Sequence, residues 1–188
     1  RIETDAAVFA VGHSARDTFQ MLFDRNVAMK SKSFAIGVRA EHRQDMIDEA
    51  MYGRKERGPL GAAAYKLTAQ LENGRGVYTF CMCPGGYVVN ASSEQGRLAV
   101  NGMSYHDRAG ENANSAVIVT VTKDDYGSDH PLAGMEFQRR LEKKAWEEGG
   151  GNVPIQRFAD FCTGTISVKT GNVTPNIKGK YVFGNVRN

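Results

Sequence analysis

Residues 76–102 constrain the fold more than any other stretch, because they combine three short β-type runs with turn signals. The runs at 77–80 and 87–89 consist of β-branched or aromatic residues, which strands favour. Pro84-Gly85-Gly86 lies between them and is typical of a turn, since proline presets one backbone angle and glycine permits positive φ. A second turn leads into the run at 97–100. We predict a three-stranded meander.

Two features of this stretch allow a role beyond scaffolding. Cys81 and Cys83 are two residues apart, so an extended strand would place both on one face and too far apart for a disulfide. Gly85 and Gly86 would let a flat ligand or another backbone approach closely, because neither has a Cβ. The alternative is a buried hairpin whose core contains small sulfur side chains, and residue chemistry alone favours it.

Composition excludes several classes of protein. The chain has 188 residues, 41% hydrophobic and 24% charged, as expected for one globular domain. A net charge of +3 gives no argument for nucleic acid or an anionic membrane as a partner. The three cysteines form no zinc-type spacing with the four histidines, so we predict no metal site. An odd number of cysteines indicates a reducing, cytoplasmic location.

The N-terminal segment resembles the start of a β-α unit. Residues 6–11 form a continuous apolar run, typical of a strand buried on both faces. Gly12-His13-Ser14 follows, with Ser14 as the predicted N-cap of a helix. Such a turn is either an anion seat at a helix N-terminus or an ordinary connection, and a lone glycine favours the connection.

The remaining patterns predict an α+β fold with a mixed, mostly antiparallel sheet and helices packed on one face. Residues 34–41 alternate as a half-buried strand, with Arg39 on the polar side. Asn73-Gly74 predicts a hairpin after an alternating run at 65–71. The other predicted elements are a helix at 42–51, a strand at 116–122, a helix from Pro131 to about residue 148 and a helical turn near 156–161.

The polar stretch at 103–114 is the longest one flanked by strong strands. Function often lies in such loops, although a merely solvated loop fits the pattern equally well. The stretch offers several side chains with useful chemistry, namely His106, Asp107, Arg108, Glu111, Asn112 and Asn114.

Several longer motifs resemble the uncharacterised bacterial FAD-dependent dehydrogenases. They are GHSARDTF (12–19), FAIGVRAEH (34–42), YTFCMCPGGYVVNASSE (78–94), NGMS (101–104), GENANSA (110–116) and PLAGMEFQRRLE (131–142). The resemblance implies FAD in the full-length protein, whereas no GxGxxG fingerprint occurs in this chain. It therefore implies a substrate-side portion of a longer flavoprotein, with the missing FAD-binding domain and a small-molecule substrate as partners. We expect this chain alone to bind no FAD.

The resemblance also implies a division of the chain and a set of site residues. Residues 1–25 would form the edge of the FAD-binding domain, 26–165 an inserted substrate domain, and 166–188 a tail returning to the FAD-binding domain. The implied cofactor-binding residues are Gly12, His13, Ser14, Arg16, Asp17, Gly85 and Gly86. Asn101, Asn112 and Asn114 would bind substrate, and the candidate catalytic residues are Cys81, Cys83, His106 and Arg108.

Three hypotheses for function remain. The first is the substrate-side domain of an FAD-dependent oxidoreductase, whose flavin transfers the electrons while the protein orients the substrate. The second is a non-catalytic module that binds a ligand or protein on its sheet. The third is a thiol-redox domain that uses Cys81 and Cys83. Yellow colour in the full-length protein separates the first from the second, and thiol exchange by this chain would support the third.

Overall fold

A computed structural model describes residues 2–187 as an α+β fold, as predicted. The helices are Arg16–Asp24 (α1), Gln44–Tyr52 (α2), Lys123–Tyr126 (α3), Ala133–Glu148 (α4) and Phe158–Thr163 (α5). The strands are Phe34–Arg43 (β1), Thr68–Gln70 (β2), Gly76–Cys83 (β3), Gly86–Asn90 (β4), Val100–Ser104 (β5), Asn112–Val121 (β6), Val153–Ile155 (β7), Ile177–Lys178 (β8) and Tyr181–Phe183 (β9).

The described strands form three sheets, and antiparallel pairing dominates. The largest sheet has the order β1-β6-β3-β2 and is antiparallel throughout. A second sheet has the order β5-β4-β8, and β7 pairs with β9 in a third. Only the β4–β8 and β7–β9 pairs are parallel among these. The mixed, mostly antiparallel character is thus confirmed, although the strands do not form one continuous sheet.

The predicted meander is wrong in its pairing. β3 pairs with β2 and β6, whereas β4 pairs with β5 and β8, so the Pro84-Gly85-Gly86 turn links two different sheets. The backbone NH of Gly85 donates to Oε1 of Gln44 (2.8 Å) instead of closing a hairpin. The run at 97–100 is also misplaced, because β5 begins only at Val100.

Locally encoded elements agree with their sequence patterns. The Asn73-Gly74 hairpin joins β2 to β3, with Gly74 at φ +78°. β1 and α4 begin within about two residues of their predicted starts, and α4 follows Pro131 as expected.

The N-terminal segment differs from its prediction. Residues 6–11 form no strand, and residues 2–14 are exposed. No described strand lies beside them, so a strand there would have unpaired backbone groups. Ser14 is not the N-cap, because α1 begins at Arg16 after Ala15, and the backbone oxygen of Ser14 only accepts from the NH of Arg16 (2.9 Å).

Candidate functional site

Four residues predicted from the sequence meet around one arginine that was not predicted. The guanidinium of Arg39 donates through Nη1 to Oδ1 of Asn114 (2.6 Å) and to the backbone oxygen of Cys81 (3.3 Å). Its Nη2 donates to Oδ1 of Asn101 (3.2 Å). Cys83 lies opposite Asn114 in the sheet, and its Sγ donates to the same backbone oxygen of Cys81 (3.3 Å). We call these five residues the Arg39 cluster.

Register and a glycine bring the Arg39 cluster together. Asn114 on β6 lies opposite Cys83 on β3, and the neighbouring pairs place Arg39 beside Ala116. β5 then crosses above through Gly102, where an added Cβ would lie 2.0 Å from Oδ1 of Asn114 and 2.3 Å from Nη1 of Arg39. A side chain at position 102 would therefore displace the guanidinium.

In the described part of the chain, the positively charged Arg39 has only neutral hydrogen-bond acceptors and no counter-charge. Its three hydrogen-bond acceptors are two amide oxygens and one carbonyl oxygen, and no carboxylate lies within 4.0 Å of it. Burial lowers the pKa of Arg39, while the two cysteines oppose that shift. The guanidinium stays protonated, so it is a partly desolvated positive charge.

The two cysteines do not share a face as predicted. Cys81 has φ +46°, which breaks the strand with a bulge between Phe80 and Cys83. Cys81 is consequently exposed and Cys83 buried, and the structure has both as free thiols. That they form no disulfide in solution stays a prediction. Burial raises the pKa of Cys83, and its Sγ donates to the backbone oxygen of Cys81 (3.3 Å). A protonated, buried thiol is a poor nucleophile.

We expect Cys83 to react with a thiol reagent at least about tenfold more slowly than Cys81 at pH 8, because burial limits both access and thiolate formation. Both cysteines lie in one tryptic peptide, residues 76–97, so tandem mass spectrometry after timed labelling assigns the label to each site by fragmentation. Cys162, which is exposed, is the internal control and should react as fast as Cys81. Equal rates at Cys81 and Cys83 would contradict the structure.

Gly85 and Gly86 make close contact with backbone, the second of the two alternatives their sequence allowed. An added Cβ on Gly85 (φ +51°) would lie 1.9 Å from the backbone oxygen of Arg108. One on Gly86 would lie 2.1 Å from the backbone oxygen of Met103. The side chain of Gln44 holds the same turn by accepting from the NH of Gly85. Its own amide is fixed, because Nε2 donates to Asp48 (2.7 Å) and to the backbone oxygen of Ala63 (3.0 Å).

The candidate residues of the predicted polar stretch 103–114 do not lie together in the structure. The backbone of Arg108 lies over Gly85, and its oxygen accepts a hydrogen bond from Nη1 of Arg57 (3.0 Å). His106 is exposed. Asn112 is buried and donates through Nδ2 to Glu41 (2.8 Å) and to the backbone oxygen of Thr174 (2.8 Å). Burial raises the pKa of Glu41. Of the side chains named in the predicted stretch 103–114, only Asn114, which lies on β6, joins the Arg39 cluster.

The predicted cofactor residues near the N-terminus lie elsewhere. Gly12, His13 and Ser14 are exposed, as is Asp17 on α1. Arg16 is 3% exposed and its guanidinium is held by Glu94 (2.5 Å) and Glu142 (2.6 Å). Those carboxylates occupy the donors that a pyrophosphate would need.

These positions do not form a flavin cradle by themselves. The space above Gly85 and Gly86 holds backbone of the 103–110 segment, and the guanidinium of Arg16 is already paired. Gly12 alone has open space, with no atom within 4 Å of an added Cβ. The cofactor roles of these residues remain predictions.

Comparison with known families identifies the family of this chain. Residues 33–188 match the family described as "FAD-dependent protein, C-terminal domain-like". The chain belongs to this family. The match includes the entire Arg39 cluster and leaves the segment with Gly12 and Arg16 outside it.

One relative of this FAD-dependent family member is an uncharacterized protein of Clostridium beijerinckii. It is 52% identical over 186 residues, which is 97% of this chain and 35% of that protein. The chain thus spans about a third of the relative's length.

Two kinds of feature are absent from the described residues. No helix within residues 2–187 is long and apolar enough to cross a bilayer. Over the same range, no group of three or more His, Cys, Asp or Glu residues is placed to hold a metal ion.

Sequence reasoning missed two residues that organise the site. The sequence pattern puts Arg39 on the polar face of a half-buried strand, and Gln44 falls within the predicted helix 42–51 without a role of its own. Arg39 lies within the FAIGVRAEH motif, two residues before Glu41. In a strand this spacing puts both charged side chains on one face, and that pairing was the signal that could have indicated a site. Gln44 is 1% exposed, and no local pattern distinguishes it from an ordinary helical glutamine.

Proposed function

We propose that this chain is the substrate-side domain of an FAD-dependent oxidoreductase, a dehydrogenase. Membership of an FAD-dependent family is the observation on which the proposal rests. The geometry supports it, because the predicted residues Cys81, Cys83, Asn101 and Asn114 converge on one partly buried cation. Convergent polar groups around a perturbed ionisable residue are typical of a binding site.

The residues of the chain would bind and orient the substrate beside a flavin held by another part of the parent protein. The flavin, when bound, accepts or donates the electrons of the reaction. Arg39, Asn101 and Asn114 would together fix a polar group of the substrate. The roles of His106 and Arg108 remain secondary in this proposal, since neither lies in the Arg39 cluster.

The exposed surface supports a partner domain. The chain exposes 12447 Å², whereas a folded monomer of this mass exposes about 8,900 Å². Part of the excess comes from the exposed residues 2–14. The large sheet also exposes apolar side chains on both of its faces, namely Phe80 (56% exposed) and Val117 (36% exposed). An FAD-binding domain of the same protein is the partner we propose for this surface.

We expect the full-length parent protein to be yellow when purified and this chain alone to be colourless. Titrating the chain with FAD while following flavin fluorescence checks the second part. The expected result is no saturable quenching in the micromolar range, on the order of −8 kcal/mol of binding. Micromolar quenching would place the cofactor site within these residues. A full-length protein without flavin would overturn the proposal and favour a non-catalytic binding module.

A thiol-redox function has less support. Cys83 is buried with a raised pKa, and its neighbour Cys81 points to solvent across a bulge. We include a cytoplasmic location in the proposal, since a reducing compartment would keep these thiols free. Thiol-disulfide exchange catalysed by this chain would revive the redox alternative.

A further inference from the structure

Arg39 differs from the other buried or partly buried arginines in having no carboxylate partner among the described residues. Arg16 pairs with Glu94 and Glu142, and Arg75 pairs with Asp125 (2.6 Å). Arg39 has only neutral acceptors, although burial removes part of its hydration. A partly desolvated cation without a counter-charge is costly unless an anion binds to it.

A second observation at the same place indicates a missing acceptor. Asn114 is 0% exposed, and its Nδ2 is buried without a hydrogen-bond partner among the described residues. The orientation of this amide is fixed, because Oδ1 accepts from Arg39 (2.6 Å), and a reversed amide would set two donors against each other. The unpaired donor therefore belongs to the same small amide that contacts the guanidinium. Leaving such a group unsatisfied costs about 1–3 kcal/mol.

The Arg39 cluster is accessible from the surface on one side. Asn101 and Cys81 are exposed. Phe80 is 56% exposed and lies in register with Arg39, with only the small Ala116 of the intervening strand between them. The strand register thus aligns the cation and an exposed aromatic ring on the same face of the sheet, with one strand between them. This arrangement suits a small molecule with one anionic end and an apolar body.

We propose that Arg39, Asn101 and Asn114 bind the carboxylate of a small organic acid. The term substrate for this acid rests on the proposed function, whereas the binding site itself does not. A guanidinium presents two parallel N–H donors that match the two oxygens of a carboxylate, and one arginine neutralises one monoanion. Glu41 lies on the same face two residues away, but its carboxylate is engaged by Asn112 and by the NH of Asn176 (2.8 Å).

The test uses the isolated chain labelled with ¹⁵N and titrated with sodium benzoate or sodium acetate. Sodium chloride replaces the organic salt to keep ionic strength constant. We expect saturable shifts of the side-chain signals of Arg39, Asn101 and Asn114 with a dissociation constant of about 1–10 mM, ordinary for ligands of this size. Benzoate should bind more tightly than acetate if Phe80 contributes. Shifts that are equal in chloride alone, or that do not saturate, overturn the proposal.

Three variants sharpen the test. Arg39→Gln should weaken benzoate binding about tenfold or more, because the charge-assisted pair is lost. Asn101→Ala, at an exposed position, should weaken it about threefold and keeps the test decisive if Arg39→Gln fails to fold. Arg75→Gln is the matched control, since it removes an arginine paired with Asp125, and it should leave binding unchanged. Wild-type affinity in folded Arg39→Gln, or in Asn101→Ala when Arg39→Gln does not fold, overturns the site.

The outcome of the carboxylate titration can be separated from the outcome of the flavin experiment. Carboxylate binding by the chain together with a colourless full-length protein would retain the site and reject the oxidoreductase. A yellow full-length protein whose chain shows no saturable shifts would retain the oxidoreductase and reject the carboxylate site.

Discussion

Replacing Gly85 with alanine is expected to lower the free energy of unfolding by about 3 kcal/mol or more. The residue has φ +51°, a conformation that costs a residue with a Cβ about 1–2 kcal/mol. The new Cβ would also lie 1.9 Å from the backbone oxygen and 2.2 Å from the carbonyl carbon of Arg108. Because the clash is with backbone, the loop must move, and overpacking of this kind costs about 1–3 kcal/mol more.

Gly96→Ala is the matched control for this variant. Gly96 has φ +70°, but no atom lies within 4 Å of an added Cβ. Its loss should stay near about 1–2 kcal/mol, since only the backbone conformation is unfavourable. Urea denaturation of both variants gives the comparison. Equal losses would mean that the loop above Gly85 does not contact the turn as described. Faster labelling of Cys83 in Gly85→Ala would independently report displacement of the turn.

The elements that could be predicted from the sequence are those determined by near neighbours. Asn73-Gly74 specifies its hairpin because the turn needs positive φ, and Gly74 supplies it. α4 could be predicted because Pro131 precedes it and its apolar positions recur at helical spacing. In both cases the stabilising contacts lie within a few residues, so the local pattern contains the information.

The elements that could not be predicted depend on distant pairing. Pro84-Gly85-Gly86 has the composition of a hairpin turn, yet Gln44, about forty residues earlier, holds its backbone and directs β4 into another sheet. Arg39 belongs to the polar side of β1 by alternation. It becomes a candidate binding residue only because β5 crosses above it at Gly102, a contact between residues 63 positions apart. Alternation reveals which face a residue occupies, not what covers that face.

The residues of the GHSARDTF motif (12–19) also show that a sequence motif does not reveal the contacts of its side chains. The family resemblance implies that they bind a cofactor, but Arg16 forms the centre of an ion-pair cluster that joins α1 to α4. Its guanidinium contacts Glu142 through both Nη1 (2.8 Å) and Nη2 (2.6 Å) and also contacts Glu94. Glu94 is shared with Arg139 (2.7 Å). A structural role for Arg16 is therefore sufficient to explain its burial in this chain.

Replacing Arg16 with alanine is accordingly expected to cost about 3 kcal/mol of unfolding free energy, because two carboxylates lose a 3%-exposed partner. Lys143→Ala on α4 is the matched control. Lys143 pairs with Glu147 at 3.4 Å, and their side chains are 62% and 54% exposed, so its loss should be within about 0.5 kcal/mol. Denaturation midpoints of the two variants at neutral pH make the comparison. Similar small losses in both would show that the cluster does not anchor α1.

The contribution of Arg16 should also depend on pH. Hydrogen bonds from Arg139 and then Arg16 lower the pKa of Glu94 to about 2, below the value near 4.5 expected in the unfolded chain. A group with a lowered folded-state pKa stabilises the fold above its unfolded pKa, and this stabilisation is lost as pH falls through the folded value. The difference in unfolding free energy between wild type and Arg16→Ala should thus be full above about pH 5 and shrink toward pH 2. A difference that stays constant over this range would mean that Arg16 acts through packing of its aliphatic stem and not through its charge.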